Sequence, residues 1–225
     1  MRRFIKSLPV IGPLAAKLKS RLSSKETVAY WETRYANGGN SGSGSYGRLA
    51  AFKAAVINGF VEEYQVASVI EFGCGDGHQL SLAQYGRYIG LDVSASAVAQ
   101  CSERFKADGT KSFFLYHSNC FVDRAKIFRA ELAMSLDVLF HIIEDDLFHA
   151  YMTQLFDAAE RYVIIYASDY DAPRNAHEKR RSFSHWVAAN EPGWHLQKMI
   201  KNSYPYDSSN PEETSSSDFY FYARK

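Results

Sequence analysis

Between residues 67 and 166, short apolar runs alternate with longer amphipathic ones. Ala67 to Glu71 (ASVIE), Tyr88 to Asp92 (YIGLD), Ser112 to Tyr116, Leu132 to Asp137 and Tyr162 to Tyr166 (YVIIY) are short and rich in β-branched and aromatic residues, which predicts five buried strands. Gln79 to Gln84, Ala95 to Phe105 and Asp145 to Ala159 fill the gaps as predicted helices, and Ser94 supplies an N-cap to the second of them. Upstream, Thr27 to Tyr35 predicts a short aromatic helix. A second helix is predicted from Arg48 to Glu63, with Leu49, Phe52, Val56, Phe60 and Val61 on one face. Downstream the period changes. Trp194 to Lys201 and Ser217 to Arg224 alternate apolar and polar residues around a polar loop, Asn202 to Ser216, and predict an antiparallel strand pair. Strands alternating with helices predict an α/β fold, a mostly parallel sheet covered on both faces. With the C-terminal hairpin the sheet has seven strands.

A chain of 225 residues with 46% apolar and 23% charged residues suits one globular domain, here residues 27–225, of which 27–66 form an N-terminal segment before the first strand. Residues 1–26 differ in character. Arg2, Arg3, Lys6, Lys17, Lys19, Arg21 and Lys25 precede any acid, and the apolar run Leu8 to Ala16 is broken by Pro9, Gly12 and Pro13 and is too short to span a bilayer. This is either a solvated leader or a peripheral arm for an anionic membrane or a membrane-bound partner. A net charge of +1 excludes the basic excess of a nucleic-acid binder. Three scattered cysteines, Cys74, Cys101 and Cys120, offer neither a disulfide framework nor a zinc site, so a reducing, cytoplasmic location and no metal are expected. Oligomeric state is not written in the sequence.

The chemistry is concentrated where the first strand ends. Glu71-x-Gly73-x-Gly75-x-Gly77 places an acid and alternating glycines beyond the carboxyl end of a buried strand, the place where open α/β sheets bind ligands. A dinucleotide fingerprint would need glycine at His78, and the Glu71 charge would repel a pyrophosphate. The same charge would attract the ammonium of an amino-acid-bearing nucleoside. Asp92 ends the next strand.

These two acids and the glycine loop resemble the motifs of class I S-adenosylmethionine-dependent methyltransferases, whose Rossmann-like fold the predicted elements match. The resemblance implies S-adenosyl-L-methionine as cofactor. The implied contacts are Glu71, Gly73, Cys74, Gly75 and Gly77 in the loop, Asp92 at the ribose with Val93 following it, Asn119 at the adenine where the family often has an acid, and Leu136 beside the ligand. Tyr30-Trp31-x-x-Arg34-Tyr35, the glycine-serine loop and Ser45-Tyr46-Gly47 are similar to a lid found in some bacterial members, which adds Tyr35 and Ser45. His141, after the fourth strand, is a candidate general base, with Asp137 positioned to orient it or touch the acceptor. The cluster His177 to Trp186 offers His177 as an alternative base, and His177 and Arg181 as acceptor-binding groups. Lid, loop and cluster together are similar to members associated with bacterial surface-polysaccharide synthesis, implying O-methylation of a sugar, glycan or glycan precursor. The alternatives are a small metabolite or amine acceptor, or a partner protein that binds the cofactor without catalysis.

Overall fold

The computed structural model describes residues 27–174 and 178–225. The basic leader, residues 1–26, and His177 lie outside the described residues. Residues 27–36 form helix α1, and α2 spans Gly47–Glu63. The alternating region then runs β1 (Ser68–Phe72), β2 (Arg87–Asp92), α3 (Ala95–Arg104), β3 (Lys111–Leu115), β4 (Ala130–Leu136), α4 (Asp145–Ala158) and β5 (Ala159–Ala167). The chain ends with α5 (Phe183–Asn190), β6 (Trp194–Ile200) and β7 (Asp218–Arg224).

All seven strands form one sheet in the order β3-β2-β1-β4-β5-β7-β6. Strands β1 to β5 pair in parallel, and β7 lies antiparallel between β5 and β6. Because strand side chains alternate between faces, each strand feeds two cores. Ile70 and Phe72 of β1 face α4 and α5 through Phe148, Tyr151, Leu155, Phe183 and Val187. Val69 faces α2 and α3 through Ile57, Phe60, Val61 and Cys101. Ser94 caps α3 as its sequence predicts, its hydroxyl accepting from Ala97 N at 3.1 Å.

Three local expectations are corrected. The predicted helix at 79–84 is a single 3-10 turn, Gln79–Leu82. So short a span makes too few i→i−4 bonds to offset nucleation, and Asn58 of α2 captures both Leu82 O and Gln84 N at 2.9 Å. The buried face of α2 runs through Leu49, Lys53, Ile57, Phe60 and Val61, and Phe52 and Val56 only pack against its margin. A lysine occupies that face because its ammonium meets Asp137 Oδ2 at 2.9 Å. The polar loop, expected at 202–216, runs through 201–217 between β6 and β7. It closes on itself through Ser215 N to Tyr204 O and Thr214 Oγ1 to Asn210 O, and it is fastened to α2 by Arg48 Nε donating to Glu213 O at 2.7 Å.

Candidate active site

The parallel strands end together, and the loops beyond their carboxyl ends enclose a cavity of about 770 Å³. Its floor is the glycine loop. Gly73 N and Cys74 N both donate to Leu91 O, at 2.7 and 3.0 Å, which ties the loop to the end of β2. Gly73 (φ 91°) and Gly75 (φ 58°) lie in the left-handed region that disfavours side chains. Space excludes side chains as well: a Cβ at Gly73 would lie 2.4 Å from Val138 Cγ2, and one at Gly75 would lie 2.3 Å from Ser41 Oγ. Gly77, also left-handed, serves differently from the expectation. It does not line the cavity; its Cα packs toward Cys101 and Phe105, so it lets α3 approach the loop.

Two buried carboxylates face this floor. Asp92 Oδ2 accepts from Gly75 N and Oδ1 from Ser94 N, each at 2.9 Å. Glu71 Oε2 accepts from Tyr88 Oη at 2.6 Å. Burial pushes Glu71 up to about 7, against the opposing pull of the Tyr88 hydrogen bond and the Lys53 charge. Burial likewise raises Asp92 to about 6, partly offset by the amides of Ser94, Gly75 and Val93. Asp76 behaves oppositely. Burial raises it, but hydrogen bonds from His78 N, Ser41 N, Tyr46 Oη and the Ser41 hydroxyl win, and it stays below the usual carboxylate range.

Those bonds fasten the segment that the resemblance reads as a lid. Ser41 N and Tyr46 Oη donate to Asp76 Oδ2 at 2.9 and 2.8 Å, Asp76 N returns a bond to Ser41 Oγ, and Tyr35 Oη meets the same hydroxyl at 3.0 Å. At its other end α1 is held by Glu32, which accepts from Ser94 Oγ (2.8 Å), Ser96 N (3.2 Å) and Ser96 Oγ (2.6 Å) at the N-terminus of α3. Tyr35 and Ser45 line the cavity, as do Val93, Asn119 and Leu136.

The opposite wall carries His141, which follows β4 in a short turn and meets Trp31 of the lid edge-on at 5.0 Å. Asp137 lines the cavity in a left-handed conformation (φ 58°), and its carboxylate is held by Lys53 Nζ and by Ser217 Oγ at 2.8 Å. Arg181 does not line the cavity. Its guanidinium donates to Ile142 O and Ile143 O at 2.7 Å and to Asp145 Oδ1 at 2.9 Å, and it lies over Phe148, so its donors brace the segment before α4. The neighbouring Arg180 lines the cavity instead, beside Glu178 at 3.1 Å.

Sequence reasoning thus missed Glu32, Lys53, Asp76, Gln79 and Arg180. Asp76 sat in plain view between two loop glycines, where it read as a spacer. The others are brought to the site by long-range packing. Among the described residues no group of three His, Cys, Asp or Glu is arranged to hold a metal, and no helix is long and apolar enough to cross a membrane.

The raised carboxyls make stability depend on pH. A native value near 7 at Glu71 lies above its unfolded value, so the folded state keeps a proton that the unfolded chain has lost. That contribution is complete below about pH 4 and disappears as the pH rises through about 7. The melting temperature is expected to fall by about 5 °C or more between pH 5 and 7.5, and Glu71→Gln to flatten that decline. Parallel curves for the two proteins in a pH series of thermal melts would refute the assignment.

Neither a protein-family model nor a curated protein sequence matches the chain. Solved structures do. The N-methyltransferase NodS from Bradyrhizobium japonicum WM9, in complex with S-adenosyl-L-homocysteine, is similar at a TM-score of 0.67 with 13% identity, covering 88% of this chain and 98% of that one. Magnesium protoporphyrin IX methyltransferase (ChlM) from Synechocystis PCC 6803 with bound S-adenosylhomocysteine gives 0.61 with 14% identity, over 79% and 85%. An S-adenosylmethionine-dependent methyltransferase from Clostridium acetobutylicum ATCC 824 gives 0.57 with 12% identity, over 76% and 90%. At these identities the likeness is one of architecture: the chain has the Rossmann-like fold of the class I methyltransferases.

Proposed function

We propose that this chain is an S-adenosylmethionine-dependent methyltransferase acting on a hydroxyl of a sugar or glycan precursor. The observation that carries the reading is the pair of buried carboxylates, Glu71 and Asp92, ending adjacent parallel strands over a glycine floor with no room for side chains. A carboxylate has about four acceptor sites, and the capacity that Asp92 keeps beside its backbone bonds suits the hydroxyls of a ribose. Val93 and Asn119 flank the adenine, and Glu71 draws the α-ammonium. Gly73 and Gly75 leave room for the ligand's close approach, and the Asp76 and Glu32 bonds hold the lid over it. When bound, the cofactor supplies a sulfonium methyl group already activated for in-line displacement. The protein's remaining work is to position the acceptor and accept its proton.

His141 is the proposed proton acceptor, with His177 as the alternative. Trp31, Phe140 and Tyr206 line the same cavity and offer apolar faces to a sugar ring, and Arg180 and Glu178 offer hydroxyl-matched polar groups. A second reading, an amine acceptor, is favoured by the likeness to the N-methyltransferase NodS. The leader's cations support a contact with an anionic membrane face. Deleting residues 1–24 is expected to abolish cosedimentation with anionic vesicles, and equal sedimentation of both forms would exclude the contact.

Calorimetry is expected to show binding of S-adenosylmethionine or S-adenosylhomocysteine and none of NAD. Asp92→Ala, which removes two hydrogen bonds to a charged acceptor, should cost about 3 kcal/mol or more of cofactor affinity. No binding by the wild type would end the proposal.

For a hydroxyl acceptor with His141 as base, His141→Ala should lower turnover about 100-fold or more and leave cofactor affinity nearly unchanged. The acceptor is found by following labelled methyl into a metabolite panel. Near-wild-type turnover in both His141→Ala and His177→Ala would reject base catalysis by either residue and favour an amine.

A further inference from the structure

One wall of the cavity holds charged and polar groups that the roles above leave unused. Among the described residues Lys53 is the one buried cation, at 1% exposure, and it lines the cavity one turn after Leu49 on α2. Only one of its bonds is to a side chain, Asp137 Oδ2 at 2.9 Å, and its ammonium also lies 5.2 Å from the centre of the Tyr166 ring. An ammonium has three donors, so donor capacity remains on the cavity side. Its charge also reaches Glu71, whose acidity it strengthens.

Gln79 lies on the same wall, at 8% exposure. Its Nε2 donates to Ala50 O at 3.1 Å, which fixes the amide's orientation. Its Oε1 is then left buried with no hydrogen-bond partner. A buried carbonyl oxygen without a donor is costly to leave unmade, and this one belongs to a residue of the cavity lining. Glu71, in the lining of the same cavity, adds a second acceptor. The lining therefore presents one concentrated donor and two acceptors, the complement of a group that carries both an ammonium and a carboxylate.

We infer that Lys53 and Gln79 are the residues that read the amino-acid end of the ligand, Lys53 Nζ binding its α-carboxylate and Gln79 Oε1, with Glu71, accepting from its α-ammonium. This rests on the cofactor reading above and extends it to two residues outside the glycine loop. It has a consequence for selectivity. The pocket discriminates by the ligand's tail as well as by its nucleoside. A sulfonium that has lost its carboxylate leaves Lys53 facing an unfilled position, and a nucleoside thioether lacking the whole amino-acid end leaves both residues so.

Calorimetric titration with three probes tests this: S-adenosylhomocysteine, its decarboxylated form, which keeps the amine, and 5′-methylthioadenosine, which has neither group. Wild-type protein should bind the first about 10- to 100-fold more tightly than the second, the worth of one charge-assisted hydrogen bond. Lys53→Met should lower S-adenosylhomocysteine affinity by about that factor and abolish its advantage over the decarboxylated form. Affinity for 5′-methylthioadenosine should stay within about threefold. Gln79→Met should weaken both amine-bearing probes alike and spare 5′-methylthioadenosine. Parallel losses for all three probes would assign Lys53 and Gln79 to structure alone and overturn the inference. So would equal wild-type affinities for S-adenosylhomocysteine and its decarboxylated form, a result that needs no variant to fold. Wild-type binding of 5′-methylthioadenosine with no gain from the amino-acid end rejects this inference and spares the nucleoside site. Binding of none of the three rejects the cofactor reading and this inference with it.

Discussion

The carboxylate of Asp92 is the point where the separate parts of this site are joined. It ends β2, and its two oxygens are taken by the amides of Gly75 and Ser94, one on the glycine loop and one at the start of α3. Burying a carboxylate is expensive unless donors are aimed at it, so neither loop nor helix can drift without exposing that cost. Ser94 then passes the constraint outward. Its hydroxyl caps α3 and donates to Glu32, so the lid helix is fastened to the residue whose amide holds Asp92. The loop passes it outward on the other side, through Asp76 to Ser41 and Tyr46. The glycine floor, the Asp92 carboxylate and the segment over the cavity form one hydrogen-bonded assembly.

Much of that assembly was legible in the chain because it is local. Strands β1 and β2 show as short β-branched and aromatic runs, and the acids at their ends and the glycines after them fall within a few residues. The Ser94 cap needs only the start of an amphipathic run, and it was found. The sheet's antiparallel end followed from a change of period. What could not be read depends on distance in sequence. Glu32 reaches Ser94 across 62 residues, and Lys53 reaches Asp137 across 84. A lysine at a core position of α2 breaks the apolar pattern, so the helix face was drawn around it, through Phe52 and Val56, when the helix in fact turns the lysine inward. Arg181 and Arg180 are adjacent and chemically alike, and only the fold decides which of them braces α4 and which meets the cavity.

The acids of the cavity handle charge by different means. Glu71 and Asp92 end adjacent strands, and burial raises the tendency of each to hold a proton, with Asp92 adding to the effect on Glu71; backbone amides and a tyrosine hydroxyl supply the compensation. Asp137 adopts a left-handed backbone conformation, uncommon for a residue with a side chain, and its carboxylate is paired with Lys53 and bonded by Ser217 just before β7. Gly44 of the lid comes close enough that a Cβ there would stand 3.0 Å from Asp137 Oδ2. The Lys53–Asp137 pair thus lies under the lid and between the two halves of the site.

This placement gives Lys53 two tasks that do not conflict. Removing one member of a buried pair strands the other, so the lysine holds the Asp137 carboxylate in place. The same ammonium, shared across a low-dielectric wall, offsets part of the negative charge of Glu71. A wall of carboxylates alone would repel an incoming carboxylate, and a wall of cations alone would repel an ammonium and a sulfonium. One buried lysine set among three acids, with a single amide oxygen left unpaired, yields a surface on which both ends of a zwitterion find partners. On the proposed reading, the acids that remain would also favour a positive sulfur.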